Sequence, residues 1–188
     1  MRLFHFSDDP GIGTFVPRPV GVAAARPAGR EWLNGPMVWA IDEPHQPLYL
    51  FPRECPRVLL WPTATTTAAD RERWFPDTSY RMRAFVEAAW LDRLASATLH
   101  RYEFAAATFA DLADAGMWVS RTAVVPIAHG EVRDLVGELR AQSVDLVVLD
   151  SLVPLRELWA TSLHASGIRL RNAAGWAASR DSAAVAFR

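Results

Sequence analysis

Short runs in which apolar and polar residues alternate, or in which apolar residues follow one another, divide the chain into predicted strands. Leu3 and His5 alternate with Phe4 and Phe6, and this period of two is typical of half-buried β-strands. Unbroken apolar runs predict strands that are buried on both faces. The predicted strands are 2–6, 37–41, 58–61, 99–104, 117–127 and 145–149, with a final edge strand at 168–170.

Between these runs, apolar residues recur at three- and four-residue spacing, which is typical of amphipathic helices. The clearest pattern of this kind extends from Ser79 to Ala97. Another helix is predicted from Ala68 to Phe75, where a threonine hydroxyl can cap the first turn and Pro76 stops the last. Further helices are predicted at 108–115, at 131–142 and after Pro154.

The order of these elements predicts one α+β domain over residues 1–172, with a mixed or mainly antiparallel sheet flanked by helices. A parallel doubly wound sheet is the less favoured alternative, because the first three strands lack intervening helices. The proline-rich segment from Gly11 to Pro36 is predicted to be a long surface loop. The alanine-rich residues 173–188 are predicted to form a weakly ordered tail.

Composition narrows the functional classes. The 188 residues are 51% hydrophobic and 22% charged with a formal net charge of -1, so charge gives no reason to expect nucleic acid or an acidic membrane as partner. Every basic residue is arginine, which excludes a Schiff-base or P-loop lysine and matches the coding bias of a GC-rich bacterial genome. Without an apolar run of about 18 residues or a signal-like start, we expect a cytoplasmic protein.

Two stretches concentrate the side chains that could carry chemistry, and the first lies at the end of the first strand. His5 is followed by Ser7 and two aspartates, so its ring could contact a ligand hydroxyl or act as a base. The alternative is a half-buried strand histidine bonded to a neighbouring carbonyl. In the second stretch, Trp39 and Tyr49 could form an aromatic wall for a planar ligand, although core packing explains them equally well.

The second stretch also contains a thiol between two arginines. Arg53 and Arg57 could lower the pKa of Cys55, and His45 is a conceivable base for a thiolate nucleophile. The alternative interpretation makes Cys55 a small buried side chain, with the arginines binding an anion or pairing with Glu54.

Glu103 lies within an alternating strand. If its face is covered, it must pair with an arginine, most simply Arg101, Arg53 or Arg57, and is a functional candidate. At a sheet edge it is simply solvated. The five histidines show no metal-ligand spacing, so no metal site is predicted. The chain has neither G-x-S-x-G nor G-x-G-x-x-G, which argues against serine hydrolase and Rossmann folds.

Several blocks resemble an uncharacterised bacterial family, common in actinobacteria-like genomes, and the resemblance covers nearly the whole chain. It implies an intact domain without implying an activity. The opening block is His5-Phe6-Ser7, Asp9-Pro10, Ile12, Phe15 and Pro17; the others are 38–42, 48–53, Val119-Ser120, Val125-Pro126 and 167–172.

The arrangement of His5, Tyr49 and Glu103 is also similar to that of the ADP-ribosyltransferase fold. That resemblance implies that His5 contacts a ribose hydroxyl, that Tyr49 stacks on nicotinamide and that Glu103 orients the ribose, with NAD as the ligand. The order His5-Phe6-Ser7 departs from the usual entry of that fold.

The sequence therefore predicts a pocket for a nucleotide-like or phosphorylated small molecule. If the protein is an enzyme, we expect it to transfer or hydrolyse a ribosyl-linked group. The alternative function is a noncatalytic module that recognises a peptide or protein partner through an aromatic, arginine-rich surface. The predicted pocket residues are His5 and Glu103 as catalytic groups and Ser7, Trp39, Tyr49, Arg53 and Arg57 as ligand contacts.

Overall fold

The computed structural model describes residues 1–23 and 25–177, and these form two compact units. Unit 1 contains Met1–Tyr49 and Leu99–Val132, and unit 2 contains Leu50–Thr98 and the described part of Arg133–Val185. Each unit has its own β-sheet. The predicted α+β class is confirmed, although the strands are divided between two sheets. The domain boundary at residue 172 stays a prediction, and most of the predicted tail lies outside the described residues.

The described residues contain ten strands and three α-helices, together with short 3-10 helices. The strands are β1 (Leu3–Ser7), β2 (Val38–Asp42), β3 (Arg57–Trp61), β4 (Met82–Glu87), β5 (Leu99–Phe104), β6 (Ala110–Asp111), β7 (Met117–Ser120), β8 (Ala128–Val132), β9 (Val144–Leu149) and β10 (His164–Ile168). The α-helices are α1 (Ala68–Trp74), α2 (Leu91–Ser96) and α3 (Leu135–Ala141). The 3-10 helices are Glu31–Asn34, Gln46–Tyr49, Ala88–Trp90, Ala106–Thr108, Val153–Ala160 and Leu170–Asn172.

Unit 1 is built on a six-stranded sheet in the order β6-β7-β2-β1-β5-β8, in which every pair is antiparallel. The alternation in β1 and β5 places alternate side chains on one face, where they form a core. Phe15, from the proline-rich segment, packs into this core. Its other buried members are Leu3, Val38, Ala40, Tyr102, Phe104, Phe109 and Val124.

Unit 2 is built on a four-stranded sheet in the order β10-β3-β4-β9. The pair β4–β9 is parallel, and the pairs β10–β3 and β3–β4 are antiparallel. The central strands β3 and β4 are buried along most of their length, as expected for strands that are covered on both faces. Apolar side chains from the segments around Phe75 and Leu152–Leu163 complete the core.

Helix α1 forms as the sequence predicts. The Thr67 hydroxyl accepts a hydrogen bond from the backbone N–H of Asp70 at 3.2 Å, which satisfies one of the free donors of the first turn. The helix ends at Trp74, two residues before Pro76. The prediction of this helix is therefore confirmed together with its cap.

The predicted helix from Ser79 to Ala97 is wrong in its first half. Met82–Glu87 is strand β4, followed by a 3-10 turn and the short helix α2. The apolar residues that suggested a helix are buried on both sides of a central strand, and such a run shows no clear period of two. Pairing with β3 and β9 therefore overrides the local helical pattern.

Four other predicted elements are also corrected. The predicted helix at 108–115 is replaced by a 3-10 turn and the hairpin β6–β7, because Ala113, Ala115 and Gly116 have positive φ and reverse the chain. A right-handed helix cannot contain such residues. The helix predicted from Glu131 begins at Leu135, because Ala128–Val132 forms β8. The strand predicted over 117–127 ends at Ser120, and the final edge strand is His164–Ile168.

Candidate functional site

His5 lies on β1 and packs on the core of unit 1. Its Nδ1 is 2.9 Å from the carbonyl oxygen of Trp39, and its ring centroid is 4.9 Å from that of Phe15. Because a carbonyl oxygen only accepts hydrogen bonds, this contact requires the proton on Nδ1. The geometry matches the alternative in which His5 is a half-buried strand histidine, and its predicted catalytic role stays a prediction.

Ser7 is 3% exposed and stabilises the turn that follows β1. Its Oγ accepts a hydrogen bond from the backbone N–H of Asp9 at 3.1 Å. The hydroxyl of Tyr102 donates to the carbonyl oxygen of Asp9 at 2.6 Å, and the Asp9 carboxylate accepts from the N–H of Gly11. The polar residues after His5 therefore hold the chain in place as it leaves the strand.

The register of unit 1 separates the two predicted catalytic side chains. Residues paired across antiparallel strands project to the same face, and successive residues project to opposite faces. Phe4 pairs with Ile41 and with Glu103, so Glu103 and Trp39 lie on the Phe4 face. His5 lies on the opposite face. The sheet therefore keeps His5 and Glu103 apart, in contrast to the single pocket that the sequence predicts.

Glu103 is committed to an ion pair at the surface of unit 1. Its two carboxylate oxygens accept from Arg2 Nε at 3.0 Å and Arg2 Nη2 at 2.9 Å, and Arg2 also reaches Glu43 at 2.7 Å. These hydrogen bonds, together with the charges of Arg2 and Arg101, outweigh desolvation and lower the pKa of Glu103. The carboxylate is therefore ionised and bidentately bound, as in the predicted pairing with arginine, although Arg2 is its partner.

The predicted aromatic wall is partly assembled on the Phe4 face. The Tyr49 hydroxyl donates to Met117 Sδ at 3.4 Å, and Met117 pairs with Ile41, which places both on the Trp39 side of the sheet. The indole N–H of Trp39 is buried and lacks a hydrogen-bond partner among the described residues. A buried donor of this kind requires an acceptor, so Trp39 keeps its place as a candidate ligand contact.

An Asp–His pair that the sequence analysis did not identify lies at the end of β2. The Asp42 carboxylate accepts from the ring Nδ1 of His45 at 2.7 Å and from its backbone N–H at 3.0 Å. Gly116 provides the space, because a Cβ there would be 2.3 Å from His45 Nδ1 and 2.4 Å from Asp42 Oδ1. The carboxylate thereby fixes the orientation of the imidazole. The D-x-x-H spacing directly after a strand was the available signal.

In unit 2, the loop that contains Glu54 meets the segment 169–172, and we call the side chains of Arg169, Arg171 and Asn172 around Glu54 the guanidinium cluster. Arg171 Nη2 is 2.9 Å from Glu54 Oε2, and Arg169 Nε is 3.5 Å from Oε1. Arg169 Nε also donates to the Arg53 carbonyl oxygen at 3.2 Å. Asn172 donates to the Glu54 carboxylate at 2.9 Å. Two guanidinium groups, those of Arg169 and Arg171, therefore lie beside one carboxylate.

The hydrogen bond from Asn172 is the largest influence on Glu54. With the charges of Arg169 and Arg171 it outweighs desolvation and holds the pKa of Glu54 below its usual value. The side chains are half exposed, at 48% for Glu54, 45% for Arg171 and 35% for Arg169. Arg53, a predicted ligand contact, adjoins the cluster through its backbone carbonyl oxygen, and the sequence analysis did not select Arg169 and Arg171. Their alternation at positions 169 and 171 was the signal.

Arg57, the other predicted arginine contact, is buried in unit 2. It is 2% exposed, its Nη1 donates to the carbonyl oxygen of Cys55 at 2.9 Å, and its guanidinium lies 5.0 Å from the ring centroid of Phe51. Burial raises the pKa of the Cys55 thiol to about 11 and outweighs the opposing effect of Arg57. The thiol is therefore protonated and inert at neutral pH, as the alternative interpretation of Cys55 expects.

Glu87 is a second buried charged group, located at the end of β4 and 3% exposed. Its carboxylate accepts from the backbone N–H of Ala174 at 3.0 Å and from that of Leu152 at 3.3 Å. The backbone donor of Leu152, which is fully buried, is satisfied in this way. The role of Glu87 within the described residues is to join chain segments.

Unit 2 also contains a cleft of about 30 Å³, which is lined by Phe75, Pro76, Asp77, Tyr80, Arg83 and Asp145, and this volume suits about one water molecule. In residues 1–23 and 25–177, no group of three or more His, Cys, Asp or Glu side chains is placed to hold a metal ion. The same residues include no helix with the length and apolar character needed to cross a membrane.

Comparison with known proteins identifies the family of the chain. No curated protein and no solved structure matches it. A family model matches residues 4–173, which include all seven predicted site residues. The sequence-based assignment to an uncharacterised family is thereby confirmed, whereas the resemblance to the ADP-ribosyltransferase fold stays a prediction. The chain belongs to DUF6886, a family of unknown function.

Proposed function

We propose that the protein binds a phosphorylated, nucleotide-like small molecule and that the guanidinium cluster of unit 2 holds its phosphate. The observation that carries this proposal is the pairing of two guanidinium groups, those of Arg169 and Arg171, with the single carboxylate of Glu54 at half-exposed positions of unit 2. The planar fork of arginine matches the geometry of phosphate and binds it bidentately. Asn172 adds an amide donor to the same place.

Glu54 gives the cluster an internal anion. Because its pKa is held low, this carboxylate is ionised at neutral pH and occupies Arg171 and Asn172. A phosphate group carries more charge and more acceptor oxygens than a carboxylate. It therefore competes with Glu54 for the same donors, and removal of the Glu54 charge should strengthen phosphate binding.

The test is isothermal titration of the full chain with inorganic phosphate, ADP and NAD. Arg171→Ala should weaken binding of the phosphate-bearing probes about tenfold, the usual value of one charge-assisted contact, and Glu54→Gln should tighten it. Arg73→Ala is the matched control, because Arg73 is 62% exposed and forms an equivalent ion pair with Glu157 at 2.9 Å in the same unit. Equal losses in both arginine variants, or no binding of any probe, would contradict the proposal.

The enzymatic form of the proposal is transfer or hydrolysis of a ribosyl-linked group, and release of nicotinamide from NAD measures it in the same samples. We expect binding without release, because the register places His5 and Glu103 on opposite faces of the sheet. Release that is lost in Glu103→Gln and kept in His5→Ala would instead establish a reaction that depends on Glu103 alone.

A second candidate function is recognition of a protein or peptide partner. Trp32, in the proline-rich segment of unit 1, is 38% exposed, and Arg121 lies 4.8 Å from its ring centroid. Exposed aromatic and arginine side chains are enriched at protein interfaces. The absence of any response to phosphate, ADP or NAD, with a partner bound by wild type and lost in Trp32→Ala, would favour this function.

A further inference from the structure

Strand β8 forms an open edge of the sheet in unit 1. The two edges of this sheet are β6 and β8. β6 has two residues, whereas β8 has five, of which the first four are exposed. One side of β8 pairs with β5, and no strand of the described chain pairs with its other side. An exposed edge of this length presents backbone N–H and C=O groups that can pair with another chain.

The sequence of β8, Ala-His-Gly-Glu-Val, is complementary to itself. In an antiparallel pair centred on Gly130, His129 of one copy lies opposite Glu131 of the other, and this pair occurs twice around the two-fold axis. Residues two apart on a strand share a face, so each imidazole meets a carboxylate on one side of the joined sheet. A Cβ at Gly130 would have no atom within 4 Å, which leaves the centre open.

Neighbouring side chains add to this arrangement. His100 pairs with Glu131 in the register of β5 and β8, and its Nδ1 is 3.2 Å from His129 Nε2. His100 and His129 therefore lie beside Glu131 on one face of the sheet, and a second copy supplies another Glu131 carboxylate.

We propose that β8 pairs with β8 of a second copy, antiparallel about Gly130, and so joins two unit 1 sheets into one. The partner is a copy of this chain rather than an unrelated peptide, because the His–Glu complementarity about the glycine arises from the strand itself. This inference is independent of phosphate binding, since the guanidinium cluster belongs to unit 2.

Sedimentation velocity over a concentration series tests the dimer. Wild type should associate in the range of about 1 to 100 μM, as expected for a small interface. His129→Glu places two carboxylates opposite each other twice and should weaken association about tenfold. The double variant His129→Glu with Glu131→Lys restores opposite charges and should recover the affinity of wild type.

Two further measurements complete this test. Ala110→Glu adds a charge at the β6 edge of the same sheet and should leave association unchanged. Circular dichroism of each variant shows whether the fold is retained. A wild type that stays monomeric throughout, or an affinity that is the same in wild type and His129→Glu, overturns the proposal. Association that Ala110→Glu weakens as much as His129→Glu also overturns it, because the contact would then lie elsewhere.

Discussion

Unit 2 contains two groups of polar side chains only a few residues apart in sequence, and burial gives them different roles. Arg53 and Glu54 lie at the surface, whereas Cys55 and Arg57 are buried. The exposed group keeps its charges accessible, and its ion pairs are of the type that contributes little to stability. The buried group is satisfied by backbone atoms and supports the fold. Similar residue types can therefore be candidates for binding in one group and structural in the other.

The largest expected effect concerns the reactivity of Cys55. With a thiol pKa of about 11, the thiolate fraction at about pH 8 is roughly one in a thousand, and burial blocks access as well. Alkylation by iodoacetamide should therefore be more than about a hundredfold slower in the folded protein than in urea. Mass spectrometry of timed samples measures this. Rapid labelling of the folded protein would show that Cys55 is accessible and would contradict the distinction between the exposed and the buried polar residues of unit 2.

The next effect is the stability cost of removing a buried arginine. Arg57→Ala loses the hydrogen bond to the Cys55 carbonyl and the packing on Phe51, and should lower the free energy of unfolding by about 3 kcal/mol. Arg53→Ala is the matched surface variant and should change it by less than about 0.5 kcal/mol. Urea unfolding followed by tryptophan fluorescence compares the two. Similar losses of unfolding free energy in the two variants would contradict the assignment of a structural role to the buried arginine alone.

The two glutamates provide a second matched pair. Glu87→Gln leaves one carbonyl oxygen and an amide donor where two carboxylate oxygens accept from Leu152 and Ala174, and should lower the free energy of unfolding by about 2 kcal/mol. Glu54→Gln should cost about 0.5 kcal/mol, because its partners are half exposed and solvent screens them. The same urea unfolding experiment compares the two variants. A larger loss of stability in Glu54→Gln than in Glu87→Gln would contradict the structural role of Glu87 and the surface role of Glu54.

The smallest effect is the dependence of stability on pH at Glu54. Its pKa is lower in the folded chain than the usual 4.5, so its ionisation stabilises the folded state above that value, and this contribution is lost as pH falls through the folded pKa. Wild type should therefore lose about 0.5 kcal/mol more than Glu54→Gln between neutral and acid pH, after screening is considered. A parallel pH dependence of the two proteins would contradict the ion pairing.

The local pattern of apolar and polar residues predicted strands with a regular alternation or an apolar run, and it predicted a helix whose first turn has its own capping residue. The alternation in β1 and β5, the apolar run of β9 and the Thr67 cap of α1 are examples, and all of these elements form. The prediction that β9 is buried is wrong, because β9 is an edge strand and only its first residue, Val144, is buried. The pattern failed at β4, since its helix-like apolar spacing arises from burial between β3 and β9, partners that are distant in sequence. A single sequence contains no record of that pairing.

The functional roles of the predicted site residues stay predictions, and the sequence could not supply their geometry. His5 and Glu103 were selected as reactive groups, and each is indeed engaged, His5 by a carbonyl oxygen and Glu103 by Arg2. The sheet separates His5 from Glu103 because of the strand register, and a shift of one residue in that register would place both side chains on the same face. Arg169 and Arg171 were overlooked because only the fold brings the loop that carries them to Glu54.

The contacts of the Glu87 carboxylate affect the order in which unit 2 can fold during synthesis. It receives donors from positions 65 and 87 residues later in the chain, so the late segment through Ala174 must arrive before that charge is compensated. A ribosome releasing this chain exposes the acid long before its donors emerge. Premature termination anywhere ahead of Ala174 therefore leaves a destabilised product, which quality-control proteases should recognise.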